Sequence, residues 1–231
     1  GLPLVVLDTT HPAAVTAAAA GLSETPFVSA SKSGTTAEVT ALTAYFYQQG
    51  KAERGRAAGE NFVAITDAGP TLQHFAEAHD FRRCFLHPAD VGGRFSALTA
   101  FGMVPAALLG LDLERMFYSA YDARAASGAD TPDAEPSALR LGQAMARSAL
   151  AGRNKLTLLL SPQLRAFSAW VEQLIAESTG KSGTGIIPEI DECPPIGAYG
   201  ICLLYSSPSP REQSGTRMPC SARPEKACTQ R

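Results

Sequence analysis

Phe27-Val28-Ser29-Ala30-Ser31-Lys32-Ser33-Gly34-Thr35-Thr36 runs from a short apolar, β-prone segment straight into a loop of hydroxyl groups. The next residues, 37–49, place Val39, Leu42, Tyr45 and Phe46 at helical spacing. The stretch therefore reads as strand, loop and helix start. First-turn amides of a helix have no intrahelical acceptor, and the helix dipole favours an anion there. Hydroxyls of Ser31, Ser33, Thr35 and Thr36 add donors, Lys32 adds charge, and Gly34 allows a close backbone approach. On pattern alone, an ordinary Ser/Thr-rich helix cap and an anion site remain equally open.

Outward from this stretch the same rhythm recurs. Leu4-Val5-Val6-Leu7 reads as a buried strand, followed by a helix over 11–21 with Thr10 as N-cap. Further strands are expected at 62–66 and 84–86, with a helix at 71–79 between them and a buried, all-apolar helix over 97–111. Two helices, 113–126 and 137–151, flank a Pro- and Asp-rich connection. A strand at 156–160 and a helix begun by Ser161-Pro162 and running to about 179 open a second unit, with a short strand at 185–188. Strand–helix alternation predicts an α/β fold, a parallel sheet with helices on both faces in three layers, with ligands at the carboxyl ends of the strands.

Composition bounds the function. The chain has 231 residues, 45% hydrophobic and 18% charged, with a formal charge of −2, which suits a globular protein with a sizeable core. Nothing in that balance points to nucleic acid, and no apolar run approaches the roughly 20 residues that span a bilayer. Aromatics are 7% of residues, so Leu, Val and Ala are expected to fill most of the core. Cys84, Cys193, Cys202, Cys220 and Cys228 form no C-x-x-C pair and no zinc spacing, so no metal is expected. A reducing cytoplasm fits them, with Cys84 a small core residue. His11, His74, His79 and His87 lie in no motif and read as surface or cap residues.

Two more motifs carry chemistry. Gly92-Gly93-Arg94-Phe95-Ser96 allows a tight backbone that presents a guanidinium; alone, it is a weak signal that reads more readily as a surface turn. In Trp170-Val171-Glu172-Gln173-Leu174-Ile175-Ala176-Glu177-Ser178-Thr179-Gly180-Lys181, Gln173 and Glu177 share a helix face. By themselves they fit an exposed charged helix end. Gly180-Lys181-Ser182 is not a nucleotide P-loop, because that motif needs glycine where Ile175 stands.

In this order and spacing the three motifs resemble the glucose-6-phosphate isomerases of the sugar isomerase domain superfamily, over about residues 1 to 200. The nearest likeness is to modules fused behind a bacterial transaldolase. The resemblance implies a flavodoxin-like sugar isomerase fold. It implies interconversion of glucose 6-phosphate and fructose 6-phosphate through a cis-enediol(ate), with no cofactor. Glu177 is then the base and Arg94 the stabiliser of developing charge, while Ser31, Lys32, Ser33, Thr35, Thr36, Gly93 and Gln173 bind substrate. A cytoplasmic homodimer is implied for the full-length protein. A non-catalytic sugar-phosphate-binding domain and an aminosugar-phosphate isomerase are the alternatives.

The expected organisation is a first sugar isomerase domain over 1–112, a helical connection over 113–153 and the start of a second such domain over 154–200. From Ile201 the rhythm stops. Residues 201–211 resemble translated adapter sequence, and 201–231 read as a non-native or disordered tail. The family's Gly-Gly-Ser loop would precede Gly1, and its ring-opening His and late Lys would follow Gly200. A fragment inactive by itself is the expectation.

Overall fold

The structure, a computed structural model, describes residues 4–19, 25–128, 137–181, 183–190 and 200–204. Its chain divides into two compact units, Gly1–Ala120 and Tyr121–Arg231.

The first unit is built on three parallel strands in the order β1-β2-β3: Phe27–Ala30, Phe62–Asp67 and Arg83–His87. Helix α1 (Pro12–Ala18) precedes β1, α2 (Ala37–Arg54) joins β1 to β2, and α3 (Pro70–Ala78) joins β2 to β3. Helix α4 (Ala100–Leu108) follows β3 after a 3-10 segment, Gly93–Leu98, and α5 (Leu113–Ser127) follows α4.

Side-chain alternation along β2 sorts the layers. Phe62 and Ala64 face α2 and α3, where Phe46, Tyr47, Leu72 and Ala76 are also buried. On the opposite face His87 of β3 meets Phe101 of α4, ring centroids 5.0 Å apart. The sheet thus carries helices on both faces, as the alternation predicts.

Aliphatic side chains such as Ala64, Ile65, Leu72, Leu156 and Leu158 make up most of the buried core, as the composition predicts. Aromatics are few but concentrated: Phe27 stacks between Phe46 and Phe62, with centroids 5.1 and 4.9 Å away. Phe62 also meets Phe81 at 5.0 Å, and Tyr47 meets Phe75 at 5.7 Å. Each such pair contributes about 0.5–1.5 kcal/mol beyond the area it buries. The pairing Phe27↔Phe62 across the parallel ladder puts two rings in register at the start of both strands.

The segment 4–7 is not a strand. Val5 and Val6 are 78% and 74% exposed, and no described strand pairs with them. Four apolar residues define a strand only when a sheet edge accepts them. The following helix starts at Pro12, and its N-cap is His11 rather than Thr10; the His11 ring nitrogen accepts from the Ala13 amide at 3.3 Å. Exposed His74 also fits the surface reading, and His79 is the C-cap of α3. Cys84 is half-buried beside Ala64, Leu72 and Ala76, and burial raises its thiol pKa.

The second unit centres on strands ordered β5-β4-β6: β4 (Lys155–Leu159), β5 (Ile187–Ile190) and β6 (Gly200–Leu204). Helix α6 (Ser137–Leu150) precedes β4, and α7 (Arg165–Thr179) joins β4 to β5, which are parallel. Leu156, Leu158, Val171 and Ile186 form its core. Strand β6 is antiparallel to β4, so 201–204 continue a sheet where the pattern was expected to stop at Ile201. Residues 205–231 lie outside the described residues. Buried Lys155 and half-buried Glu189 make an ion pair of 2.9 Å between β4 and β5.

Backbone approaches constrain glycine at a few places. A side chain at Gly59 would run into the carbonyl oxygens of His79 and Asp80, where the 3-10 turn before β2 meets the α3–β3 turn. Gly59→Ala is expected to destabilise the chain by about 1–3 kcal/mol, as overpacking against backbone does. Urea unfolding followed by far-UV circular dichroism measures it; an unchanged midpoint would show that the two turns separate easily.

Candidate functional site

The carboxyl ends of β1, β2 and β3 converge on one loop. After Ala30 the chain forms a compact turn rather than an extended arm: the Ser31 amide donates to Ile65 O at 3.0 Å, and the Gly34 amide donates to Ser31 O at 3.2 Å. The Ser31 hydroxyl is buried and pairs with the Thr36 hydroxyl at 2.9 Å, closing the loop across its base. The Ser33 Oγ accepts from the amide and hydroxyl of Thr35 at 3.2 and 3.0 Å. Ser33, Thr35 and Thr36 are exposed, and Lys32 is half-buried. Thr36 is the N-cap of α2, without a side-chain capping bond, so the first-turn amides of an 18-residue helix open at this loop.

Gly34 has a local reason of its own. Its φ is +64°, and a side chain there would come within 3.0 Å of Thr66 Oγ1 and 3.2 Å of the Leu72 amide. The glycine therefore lets the loop lie on the β2–α3 corner, in addition to any approach by a ligand.

Lys32 is fixed from that corner. Asp67, the last residue of β2, donates its amide to Lys32 O at 2.9 Å, and its Oδ2 accepts from Lys32 Nζ at 2.7 Å. The other carboxylate oxygen, Oδ1, lies 3.0 Å from Nδ1 of His87. The Lys32 hydrogen bond is the largest influence on Asp67 and holds its carboxyl pKa below the usual value; burial opposes this, and His87 reinforces it. An ionised carboxylate only accepts, so Nδ1 of His87 carries the hydrogen. The reading of all four histidines as surface or cap residues fails at His87. Its side chain is 0% exposed, its Nε2 has no partner among the described residues, and its ring stands on Phe101.

The Gly-Gly-Arg motif meets the same loop. A side chain at Gly93 would stand 3.8 Å from Cδ of Lys32, so the motif's backbone runs beside the lysine stem. The motif is the start of the 3-10 segment rather than an open surface turn. Ser96 is buried and donates to Gly93 O at 2.6 Å, and Thr99 donates to Ser96 O at 2.7 Å and caps α4. Helix α4 folds back so closely that a side chain at Gly102 would run into Ala97 O. Arg94 is half-buried within this segment.

Gln173 and Glu177 belong to the second unit, both exposed one turn apart near the end of α7. The helix end that carries Glu177 is tied down. Thr179 Oγ1 donates to Ile175 O at 2.8 Å and accepts from the Ile186 amide at 2.9 Å, linking the helix to the chain entering β5. Gly180 leaves the helix where a side chain would meet Ala176 O at 2.5 Å, and Gly185 passes 2.9 Å from Gly180 Cα by the same measure. Thr179 and Gly180 thus have structural work that explains their place in the motif.

Sequence reasoning passed over Asp67 and His87. The available signal was positional: each is a polar residue that ends an apolar parallel strand, where an α/β fold gathers its ligand-binding groups. Among the described residues no cluster of His, Cys, Asp and Glu could hold a metal ion, and no helix is long and apolar enough to cross a membrane.

The chain is similar to several known proteins. The glucose-6-phosphate isomerase of Symbiobacterium thermophilum is 37% identical over 163 residues, covering 68% of this chain and 36% of the relative. That of Clostridioides difficile is 37% identical over 162 residues, covering 68% and 35%. The chain therefore spans little more than a third of the curated relatives it matches. Among solved structures, a hypothetical protein of Thermus thermophilus superposes with a TM-score of 0.71 at 29% identity, over 80% of this chain and 46% of that one. A glucose-6-phosphate isomerase of Chlamydia trachomatis superposes with a TM-score of 0.62 at 26% identity, over 77% and 37%. The sequence profile of phosphoglucose isomerase matches residues 4–189, which include the hydroxyl-rich loop, the Gly-Gly-Arg segment and the tied helix end, and the chain belongs to that family.

Proposed function

We propose that this chain carries part of the active site of a glucose-6-phosphate isomerase, acting on glucose 6-phosphate and fructose 6-phosphate in the cytoplasm as a homodimer when full length. The observation that carries the reading is the meeting of the hydroxyl-rich loop with the Gly-Gly-Arg backbone, Lys32 against Gly93, at the carboxyl ends of β1–β3.

In this reading the sugar phosphate enters with its phosphate toward residues 31–36. Exposed Ser33, Thr35 and Thr36 donate hydroxyls, the first-turn amides of α2 and the Lys32 ammonium supply positive potential, and Ser31 holds the loop closed. Binding at this remote end positions the reacting carbons. Glu177 removes the proton from the carbon next to the carbonyl and returns it to the neighbouring carbon, with Gln173 beside it holding substrate. Arg94 and the Gly93 backbone stabilise negative charge on the enediol(ate). The proton shuttle balances without oxidant or reductant.

Two measurements test the reading. The first uses the 231-residue chain in calorimetric titration. Glucose 6-phosphate is expected to bind and glucose is not, and Lys32→Met is expected to weaken binding about tenfold, the equivalent of about 1.4 kcal/mol. Equal binding of both sugars would remove the phosphate from this loop. The second places residues 4–189, the span of the family profile, in the frame of the full-length Symbiobacterium thermophilum relative. This chimera is expected to convert fructose 6-phosphate, and Glu177→Gln is expected to lower kcat by about 10²–10⁴ with little change in binding, the range for a lost general base. Binding without turnover in the unmutated chimera would favour a non-catalytic sugar-phosphate module. Turnover confined to an aminosugar phosphate would move the substrate within the superfamily.

A further inference from the structure

The buried imidazole of His87 is the least economical group in the first unit. Its side chain is 0% exposed, and its Nε2 has no partner among the described residues. Burying a polar ring with one nitrogen unpaired is unfavourable, and an aliphatic side chain would fill the space beside Phe101 without that cost. Among the described residues, the ring's polar contact is Nδ1 to Asp67 Oδ1, 3.0 Å. Asp67 in turn spends its other oxygen on Lys32 Nζ at 2.7 Å and its amide on Lys32 O at 2.9 Å.

We propose that Asp67 and His87 are positioning residues that hold the Lys32 ammonium at the mouth of the residue 31–36 loop. Parallel register makes this possible: Asp67 and His87 are direct partners at the carboxyl ends of β2 and β3. The imidazole donates to Oδ1 and sets the carboxylate plane, and the carboxylate then aims Oδ2 at the lysine. Gly93, with no side chain, lets its backbone run beside the lysine stem. An ammonium has three hydrogens. One goes to Asp67, and two remain to face an anion. A lysine already ordered by its neighbours has less side-chain freedom to lose when a ligand arrives. What Lys32 is held for rests on the phosphate reading above, whereas its being held does not depend on it.

Two measurements on the 231-residue chain separate these statements. Carbon-13 relaxation at the Lys32 ε-carbon, without ligand, reads the holding directly. A restricted ammonium is expected in the native chain, with its order parameter falling below about 0.6, the flexible range, in Asp67→Asn and in His87→Leu. His87→Asn, whose side-chain amide can stand in for the Nδ1–H donor, is expected to restore order, and thermal melts of each variant check that the fold persists. Calorimetry with glucose 6-phosphate reads the consequence. Asp67→Asn is expected to weaken binding about tenfold in the native background and to change it less than twofold in a Lys32→Met background, because the carboxylate acts through the lysine.

Equal mobility of Lys32 in native and Asp67→Asn chains would overturn the proposal. So would tighter glucose 6-phosphate binding in Asp67→Asn, which would make the carboxylate a competitor of the anion, or an undiminished effect without the lysine. An ordered Lys32 released by Asp67→Asn, in a chain that binds no glucose 6-phosphate, would support the positioning role and reject the phosphate reading.

Discussion

Asp67 grips Lys32 twice, through its amide to the lysine carbonyl and through its carboxylate to the ammonium. The backbone bond extends the β1–β2 pairing past Ala30 into the loop, so the loop is laid down as a continuation of the sheet. Loop geometry then constrains its surroundings. Ser31 and Thr36 close its base, and Gly34 suits its place twice over, by its left-handed conformation and because a side chain there would crowd Thr66 and Leu72. Gly93 comes alongside from the segment after β3. A single strand end thereby organises the loops that follow all three strands of the first unit.

The second unit secures its proposed catalytic carboxylate by another device. Glu177 lies near the end of α7, where a helix tends to fray. Thr179 prevents this locally by serving the helix and the following chain at once: its hydroxyl donates to Ile175 O and accepts from the Ile186 amide. Gly180 and Gly185 permit the two backbones to pass closely enough for that bond. The first unit orders a loop from a strand, and the second orders a helix end from the strand it leads into. In both, the exposed polar residues are carried by backbone that has other reasons to be rigid.

Much of this was legible in the sequence because local patterns agreed with tertiary demands. The strand at 27–30 and the helix after it, the strand at 62–67 and the helix from Arg165 to Thr179 follow from apolar period and turn chemistry. Motif order located the family. The errors share a cause, which is that pairing and packing are not written in a short window. Leu4-Val5-Val6-Leu7 has strand composition without a described strand to pair with. His87 looked isolated because its partners, Asp67 and Phe101, lie 20 and 14 positions away. Asp67 drew no notice because its role depends on register with β3, which only the folded sheet reveals.

The uneven placement of aromatic rings also divides the molecule optically. Trp170 is the single tryptophan, 42% exposed on α7 and 5.4 Å from the ring of Phe167 in the second unit. The clustered rings of the first unit include no indole, and Tyr47 is their buried phenol. Indole emission therefore originates in the unit that carries Glu177. Tryptophan fluorescence reads the surroundings of Trp170, and the buried Tyr47 reads the aromatic cluster of the first unit.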